Sequence, residues 1–236
     1  EEILDAARWV LGREGALAGR RVLVTAGGTR EPLDPIRFLG NRSSGRMGYA
    51  LARAALDQGA QVTLISTTGQ PAPFGAELLP VETAAEMHDA VLQALPSADA
   101  LLMAAAVADY RPAAIAEQKI KKAPARAGGL ELQLVRTPDI LAKVATVRRP
   151  DQVVVGFAAE TENLLENARD KLQRKHLDLI VANDARQAMG ADSNKVTLIG
   201  AEGIQEALPL LSKDEVAGQI LAQVVQLLGP RSDDRV

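Results

Sequence analysis

The chain has no cysteine, only two histidines, and just six aromatic residues: three phenylalanines, two tyrosines and one tryptophan. Without cysteine there are no disulfides, no thiolate metal ligands and no cysteine nucleophile, a composition that agrees with a cytoplasmic protein. Neither His88 nor His176 has a second strong ligand three or four residues on, which argues against a zinc site. No apolar run reaches the ~18 residues of a membrane span, and no signal-peptide pattern opens the chain. Positive charge is not in excess either. Twenty-seven Lys and Arg against 30 Asp and Glu leave a formal net charge of −3, which argues against nonspecific nucleic-acid binding.

What is present suits a globular α/β protein. A 47% hydrophobic fraction supplies a real core, and 236 residues suit one large domain or two small ones. Short β-branched runs at Val22–Thr25, Val62–Ser66, Ala100–Ala106, Val153–Phe157 and Leu179–Ala182 alternate with helical patterns at Gly45–Gln58, Ala85–Leu95, Pro138–Val147 and Thr161–Lys175. That alternation predicts βαβ units: a doubly wound, mostly parallel Rossmann-like sheet with helices on both faces. Lys195–Ile199 and Gly203–Ala207 read as a hairpin, a small antiparallel extension before a final helix at Lys213–Leu228. Residues 1–18 read as an amphipathic helix, Glu1–Leu11, and a glycine-broken linker. They are either the tail of a removed segment or a plain terminal helix. Residues 19–229 form the main domain, and 230–236 a frayed tail.

The most informative stretch is Asn41-Arg-Ser-Ser-Gly-Arg-Met-Gly48, which follows a strand and a glycine-bearing loop and opens an Ala/Leu-rich helix. Unpaired N–H groups at a helix start favour a phosphate or carboxylate. The spacing G-x-G-x-x-G of dinucleotide binders is absent. Asn41 could hold an acyl-phosphate oxygen or simply cap the loop, while Arg37 and Arg42 flank it as candidate phosphate partners. Small residues in Ala104-Ala-Ala-Val-Ala-Asp-Tyr110 would admit a flat ligand, with Asp109 placed for a ribose hydroxyl or a metal. Thr137-Pro-Asp-Ile140 reads first as a helix start, with Thr137 as cap and Pro138 in the first turn. Lys171 and Lys175 share a helix face and could both meet a polyphosphate, although a solvated face is the commoner reason for such a pair. Phe157 could stack on a base, and core packing explains it as well. Residues 111–129, rich in proline and glycine and carrying Lys119-Ile-Lys-Lys122, read as a lid at the carboxyl end of a strand.

In series, T-A-G-G-T-R-E-P-L-D-P, N-R-S-S-G-R-M-G, A-A-V-A-D-Y, K-I-K-K, T-P-D-I-L, V-G-F-A-A-E-T and D-L-I-V-A-N-D resemble the phosphopantothenate–cysteine ligases over roughly Gly19 to Leu228. These are the synthetase half of the bacterial bifunctional decarboxylase–ligase of coenzyme A biosynthesis. The resemblance implies ligation of 4'-phosphopantothenate to L-cysteine, with CTP as co-substrate and Mg²⁺ as cofactor, in a homodimer. It also implies a decarboxylase domain joined through residues 1–18. It matches Asn41 to the asparagine that handles the acyl-nucleotide and Lys119 to the lysine that helps form it. Met103, Ala104, Ala105, Asp109, Lys119, Pro138, Asp139, Ile140, Leu141, Phe157, Lys171 and Lys175 fall on nucleotide-binding positions, and Arg37 on a substrate-phosphate contact. No metal ligands are assigned. Two departures are mild: Gly27-Gly28 replaces the common Gly-Pro, and Arg46 stands where Lys is common, which changes hydrogen-bond geometry but not charge.

The competing reading is an NAD(P)-dependent reductase on the same architecture. Ser66-Thr67-Thr68 follows the second strand where an NAD binder wants an acid for the ribose, and no Tyr-x-x-x-Lys pair is present. Both observations speak against it.

Overall fold

The structure, a computed structural model, describes residues 2–121, 129–160, 162–184, 193–201 and 203–230. Its organisation follows from one strand. In β1 (Arg21–Ala26), Val22, Val24 and Ala26 join one hydrophobic cluster while Leu23 joins another. A strand buried on both faces must lie inside a sheet that is covered on two sides. It pairs in parallel with β4 (Gln61–Ser66) on one side and β6 (Ala100–Met103) on the other.

The sheet continues beyond β4 to β5 (Glu77–Pro80). Beyond β6 it runs through β9 (Val153–Glu160) and β10 (Leu179–Asp184) to β12 (Val196–Gly200) and β13 (Gln205–Ala207). The strands from β5 to β10 are parallel, and β12 and β13 run antiparallel. This is the doubly wound sheet with the antiparallel extension that the sequence predicts. Helices α2 (Arg46–Leu56) and α6 (Lys213–Leu228) cover one face; α3 (Ala84–Ala94), α4 (Ile140–Val147) and α5 (Leu164–Arg174) cover the other. Trp9 of α1 (Glu2–Gly12) packs against the α2–α6 side, edge-on to Phe74 and under the Arg13 guanidinium. Among the described residues no helix is long and apolar enough to cross a membrane.

Strand order reverses between β1 and β6: the chain leaves β1 toward β4 and leaves β6 toward β9. The loops after these two strands therefore part over a crevice at their carboxyl ends, where open α/β sheets bind ligands.

The structure departs from the sequence reading in several places. The run Ala100–Ala106 is a strand only to Met103, and Ala106 meets Gly28 in an isolated bridge. Edge strand β5 was not anticipated, because Glu77-Leu-Leu-Pro80 is half-buried and ends in proline. The supposed lid is not structureless at its base: β7 (Tyr110–Pro112) pairs with β8 (Leu134–Arg136) in an antiparallel ribbon. A second ribbon, β2 (Arg30–Pro32) with β3 (Phe38–Gly40), occupies the loop after β1 and packs beside β7, and β11 (Ser193–Asn194) pairs with β14 (Leu211–Ser212) ahead of the last helix. Part of the segment read as a lid (122–128), Thr161 and, of the tail read as 230–236, residues 231–236 lie outside the described residues.

Candidate active site

The crevice is built by close backbone approach and by threonine side chains. A Cβ on Gly28 would sit 2.5 Å from the Asn41 carbonyl oxygen, so only glycine lets the loop after β1 pass beneath Asn41. At the floor of the crevice the two loops are joined, Ala106 N–H donating to the Gly27 carbonyl (2.8 Å) and Thr29 N–H to the Ala106 carbonyl (3.2 Å). The Asn41 side-chain amide donates to the Val107 carbonyl at 3.0 Å. It therefore neither caps its own loop nor floats free. Its Nδ2 is fixed to the neighbouring loop, which orients the amide plane and leaves Oδ1 without a partner among the described residues.

The loop after β6 is held from behind. Thr25 Oγ1 accepts from Ala105 N–H, Thr29 Oγ1 accepts from Ala108 N–H, and Thr137 Oγ1 donates to the Ala108 carbonyl at 2.6 Å. Thr137 N–H also donates to the Asp109 carbonyl. With its backbone tied in this way, the loop presents half-buried Ala104 and Ala105 and the exposed Asp109 carboxylate. Met103 is buried, and its sulfur accepts from the Thr25 hydroxyl. Gly45 opens α2 in the left-handed conformation (φ 75°), without a side-chain cap.

A second group converges beside the first. Met103 lies in register with Gly156, so Phe157 of β9 follows directly. The Lys171 ammonium donates to the Phe157 carbonyl at 2.7 Å, and Lys175 pairs with Asp139. Both lysines are thus engaged, Lys171 with β9 and Lys175, just past the end of α5, with the start of α4. The helix start differs from expectation: Asp139 is the cap, accepting from Ala142 N–H at 3.0 Å, while Thr137 serves the loop after β6 and Pro138 precedes the cap. The β-branched Thr137, once bound to Ala108, cannot also reach a helix N–H, and the carboxylate two residues on takes that place. Burial works to raise the Asp139 pKa, but hydrogen bonds from Lys175 and Ala142 and the charges of Lys175 and Lys171 overcome it, leaving the pKa below its usual value. Ile140 and Leu141 are buried in the core, and Phe157 packs against the other cluster, which agrees with the core reading of that ring.

Lys119 is exposed and stands on the segment that leaves β7. Its neighbour Ile120 is fastened to the β2–β3 turn. Ile120 N–H donates to Asp34 Oδ2 (3.1 Å), and Arg37 Nη2 donates to both the Ile120 carbonyl (2.6 Å) and Asp34 Oδ2 (2.6 Å). Arg37, expected at a substrate phosphate, is thus engaged with this turn, and Nη1 is the guanidinium nitrogen not used by described residues. Asp34 is buried, and the Arg37 guanidinium, aided by N–H groups of Ile120, Ile36 and Arg37, holds its carboxyl well below the usual carboxylate range against the opposing effect of burial. The roles of Asp34, Thr25 and Thr29 escaped the sequence reading, and Thr137 was read as a helix cap instead of a tie to Ala108. Asp34-Pro35 carries a turn signal, whereas nothing local marks Thr25 or Thr29 as a tie to the loop after β6.

Among the described residues no group of three His, Cys, Asp or Glu side chains is poised to hold a metal ion. A cavity of about 480 Å³ lies at the other end of β1 and β4, lined by Trp9, Arg13, Arg21, Gln61 and Glu77, and no candidate site residue borders it.

Residues 17–228 match the family of the DNA/pantothenate metabolism flavoprotein C-terminal domain. The chain is 46% identical over 245 residues to the coenzyme A biosynthesis bifunctional protein CoaBC of Mycobacterium tuberculosis (strain ATCC 25618 / H37Rv), covering 97% of this chain and 58% of that protein. It is 45% identical over 217 residues to CoaBC of Bacillus subtilis (strain 168), covering 89% and 52%. The chain thus spans between half and three-fifths of these relatives. Among solved structures, the C-terminal domain of the bifunctional protein CoaBC is similar at a TM-score of 0.78 and 41% identity, over 91% of this chain and 98% of that one. Cab2 mutant H337A, in complex with phosphopantothenate-cysteine, shares the fold at a TM-score of 0.75 and 19% identity, over 96% and 92%. By its length of match and its identity to these relatives, the chain belongs to the DNA/pantothenate metabolism flavoprotein C-terminal domain family.

Proposed function

We propose that this domain ligates 4'-phosphopantothenate to L-cysteine at the expense of CTP, through an acyl-cytidylate, releasing pyrophosphate and CMP in coenzyme A biosynthesis. One observation carries the reading. Asn41, the loop through Asp109, the Asp139 helix start, Phe157 and Lys171 are far apart in sequence, yet bonds connect them in one stretch along the carboxyl edge of β1, β6 and β9.

A carboxylate acylates poorly because its leaving group would be oxide. In the first half-reaction the carboxylate of phosphopantothenate attacks the α-phosphorus of CTP, forming a P–O bond as the bond to pyrophosphate breaks. Two anions must approach each other, so cationic groups are needed. Lys119, exposed and without an ion-pair partner among the described residues, is available to carry that charge, and Lys171 and Lys175 line the neighbouring wall. In the second half-reaction the cysteine amine attacks the activated carbonyl, loses a proton, and CMP leaves. The second Nδ2 hydrogen of Asn41, the one not given to Val107, is the donor suited to the developing oxyanion, a role worth roughly 3–4 kcal/mol at comparable sites. Magnesium would supply charge neutralisation on the triphosphate. Such ions are commonly held by one or two carboxylates and the phosphates themselves, and Asp109 is the carboxylate of this edge that fits.

The proposal includes a homodimer. Ile36, Phe38, Tyr110, Ile115, Leu130, Leu132 and Leu134 are exposed apolar side chains grouped on the two ribbons and the segments beside them, a grouping that marks an association surface. On this reading residues 1–18 link to a decarboxylase half, the lid over 111–129 belongs to residues 19–229, and the enzyme works in the cytoplasm. The test is direct. Pyrophosphate should be released with CTP and phosphopantothenate, and CMP only once cysteine is added. ATP supporting ligation as well as CTP would overturn the nucleotide choice. Tight NADPH binding without ligation would favour the reductase reading instead.

A further inference from the structure

The buried carboxylate of Asp34 has two sides that do different work. Oδ1 accepts from Ile36 N–H and Arg37 N–H, both at 2.9 Å, which folds the turn between β2 and β3. Oδ2 accepts from Arg37 Nε (3.0 Å) and Nη2 (2.6 Å) and, from far along the chain, from Ile120 N–H (3.1 Å). Arg37 Nη2 completes the tie by donating to the Ile120 carbonyl. A further bond, Ala116 N–H to the Leu33 carbonyl at 3.0 Å, lies a turn earlier in the same segment. The turn alone needs only Oδ1. Burying a carboxylate is costly unless it is paired and fully bonded, so the second oxygen has a role beyond the turn.

We propose that Asp34 is a positioning residue for Lys119. Its Oδ2, with Arg37, anchors Ile120 to the β2–β3 turn and so fixes the backbone from which Lys119 reaches the triphosphate. The same ribbon leads through β3 directly into Asn41, so one carboxylate sets the lysine of the first half-reaction relative to the asparagine of the second. The assignment rests on the ligase reading and on Lys119 acting in pyrophosphate release.

Asp34→Asn separates the two oxygens. Its remaining carbonyl oxygen can still accept from Ile36 and Arg37 N–H, while its NH₂ faces the Ile120 N–H and the guanidinium, donor against donor. The expected result is a fall of tenfold or more in kcat for pyrophosphate release. Aminolysis of preformed acyl-cytidylate by cysteine should stay within threefold of the unaltered protein. Amide hydrogen exchange over 113–121 should quicken while the strands of the sheet keep their protection. In the Lys119→Gln background, Asp34→Asn should add nothing, because a residue that acts through Lys119 has no effect once the lysine is gone. Ile120→Pro, which deletes the donor and leaves Asp34 and Arg37 intact, provides the same test if Asp34→Asn does not fold. Equal slowing of both half-reactions, or additive losses with Lys119→Gln, would assign Asp34 to the turn alone and overturn the proposal. Unchanged pyrophosphate release in both variants would do the same. If the unaltered protein releases no pyrophosphate, the ligase reading is what fails; that outcome is distinct from unaltered protein that is active alongside variants that match it.

Discussion

At the scale of single residues, the proposed mechanism divides the labour by charge and rigidity. Lys119 is a solvent-facing point charge on a long stem, suited to charge that builds on a triphosphate. Asn41 is neutral and locked to Val107, suited to an oxyanion whose position does not vary. Lys119→Gln should therefore slow pyrophosphate release to a small residual rate. Asn41→Asp should still release it and accumulate acyl-cytidylate, because a carboxylate beside the carbonyl repels the oxyanion that cysteine attack creates. Each loss should be on the order of a hundredfold. Rapid-quench analysis that finds the intermediate in the lysine variant and not in the asparagine variant would reverse these roles. Gly28→Ala supplies a geometric control. Its new methyl would meet the Asn41 carbonyl at 2.5 Å, so cysteine-dependent CMP release should fall while the fold persists. Asn41 and Lys119 were conspicuous in sequence, as candidates, through the motifs around them. Asp34 was not, because its importance lies in a bond to Ile120 that no local pattern announces.

At the scale of elements, the start of α4 shows how one carboxylate can serve both stability and site. Asp139 caps the helix and holds Lys175, and its folded pKa is depressed. A depressed carboxylate contributes stability that is fully present above its unfolded pKa of about 3.9 and is lost as pH falls through the folded value. Asp139→Asn keeps a good cap but removes the charge, so its melting temperature should lie below that of the unaltered protein at pH 7. The gap should close in acid below about pH 4. A gap that widens toward acid would contradict the pairing. Asp139→Ala also removes the cap and should cost about 1 kcal/mol more at either pH. The sequence placed this helix correctly but gave its cap to Thr137, since Thr-Pro is a strong start signal and the pull of Ala108 on that hydroxyl is tertiary. The five principal strands were legible for a simpler reason: both faces of a central parallel strand are buried, so the run reads as continuously apolar. The three-residue strands of the ribbons are too short and too exposed to give such a pattern.

At the scale of the whole molecule, the central sheet accounts for its own apolar surface and the ribbons do not. Two helical layers cover the sheet, whereas Phe38, Leu132 and Leu134 stand 53%, 44% and 41% exposed on or beside the ribbon strands. A monomer gains nothing by exposing these side chains together, and a second copy would remove them from water at roughly 25 cal/mol per Å². Because the ribbons also hold Arg37 and the Ile120 tie beside Lys119, association through them would bear on the site as well as on stability. Leu132→Glu places a charge in the middle of this surface and touches no bonded group of the crevice. The unaltered protein should sediment as a dimer at micromolar concentration. The variant should sediment as a monomer of about 25 kDa, with its circular dichroism unchanged and its ligation rate lowered. A variant that stays dimeric would place the contact elsewhere. An unaltered protein that is already monomeric and fully active would remove the dimer from the mechanism altogether.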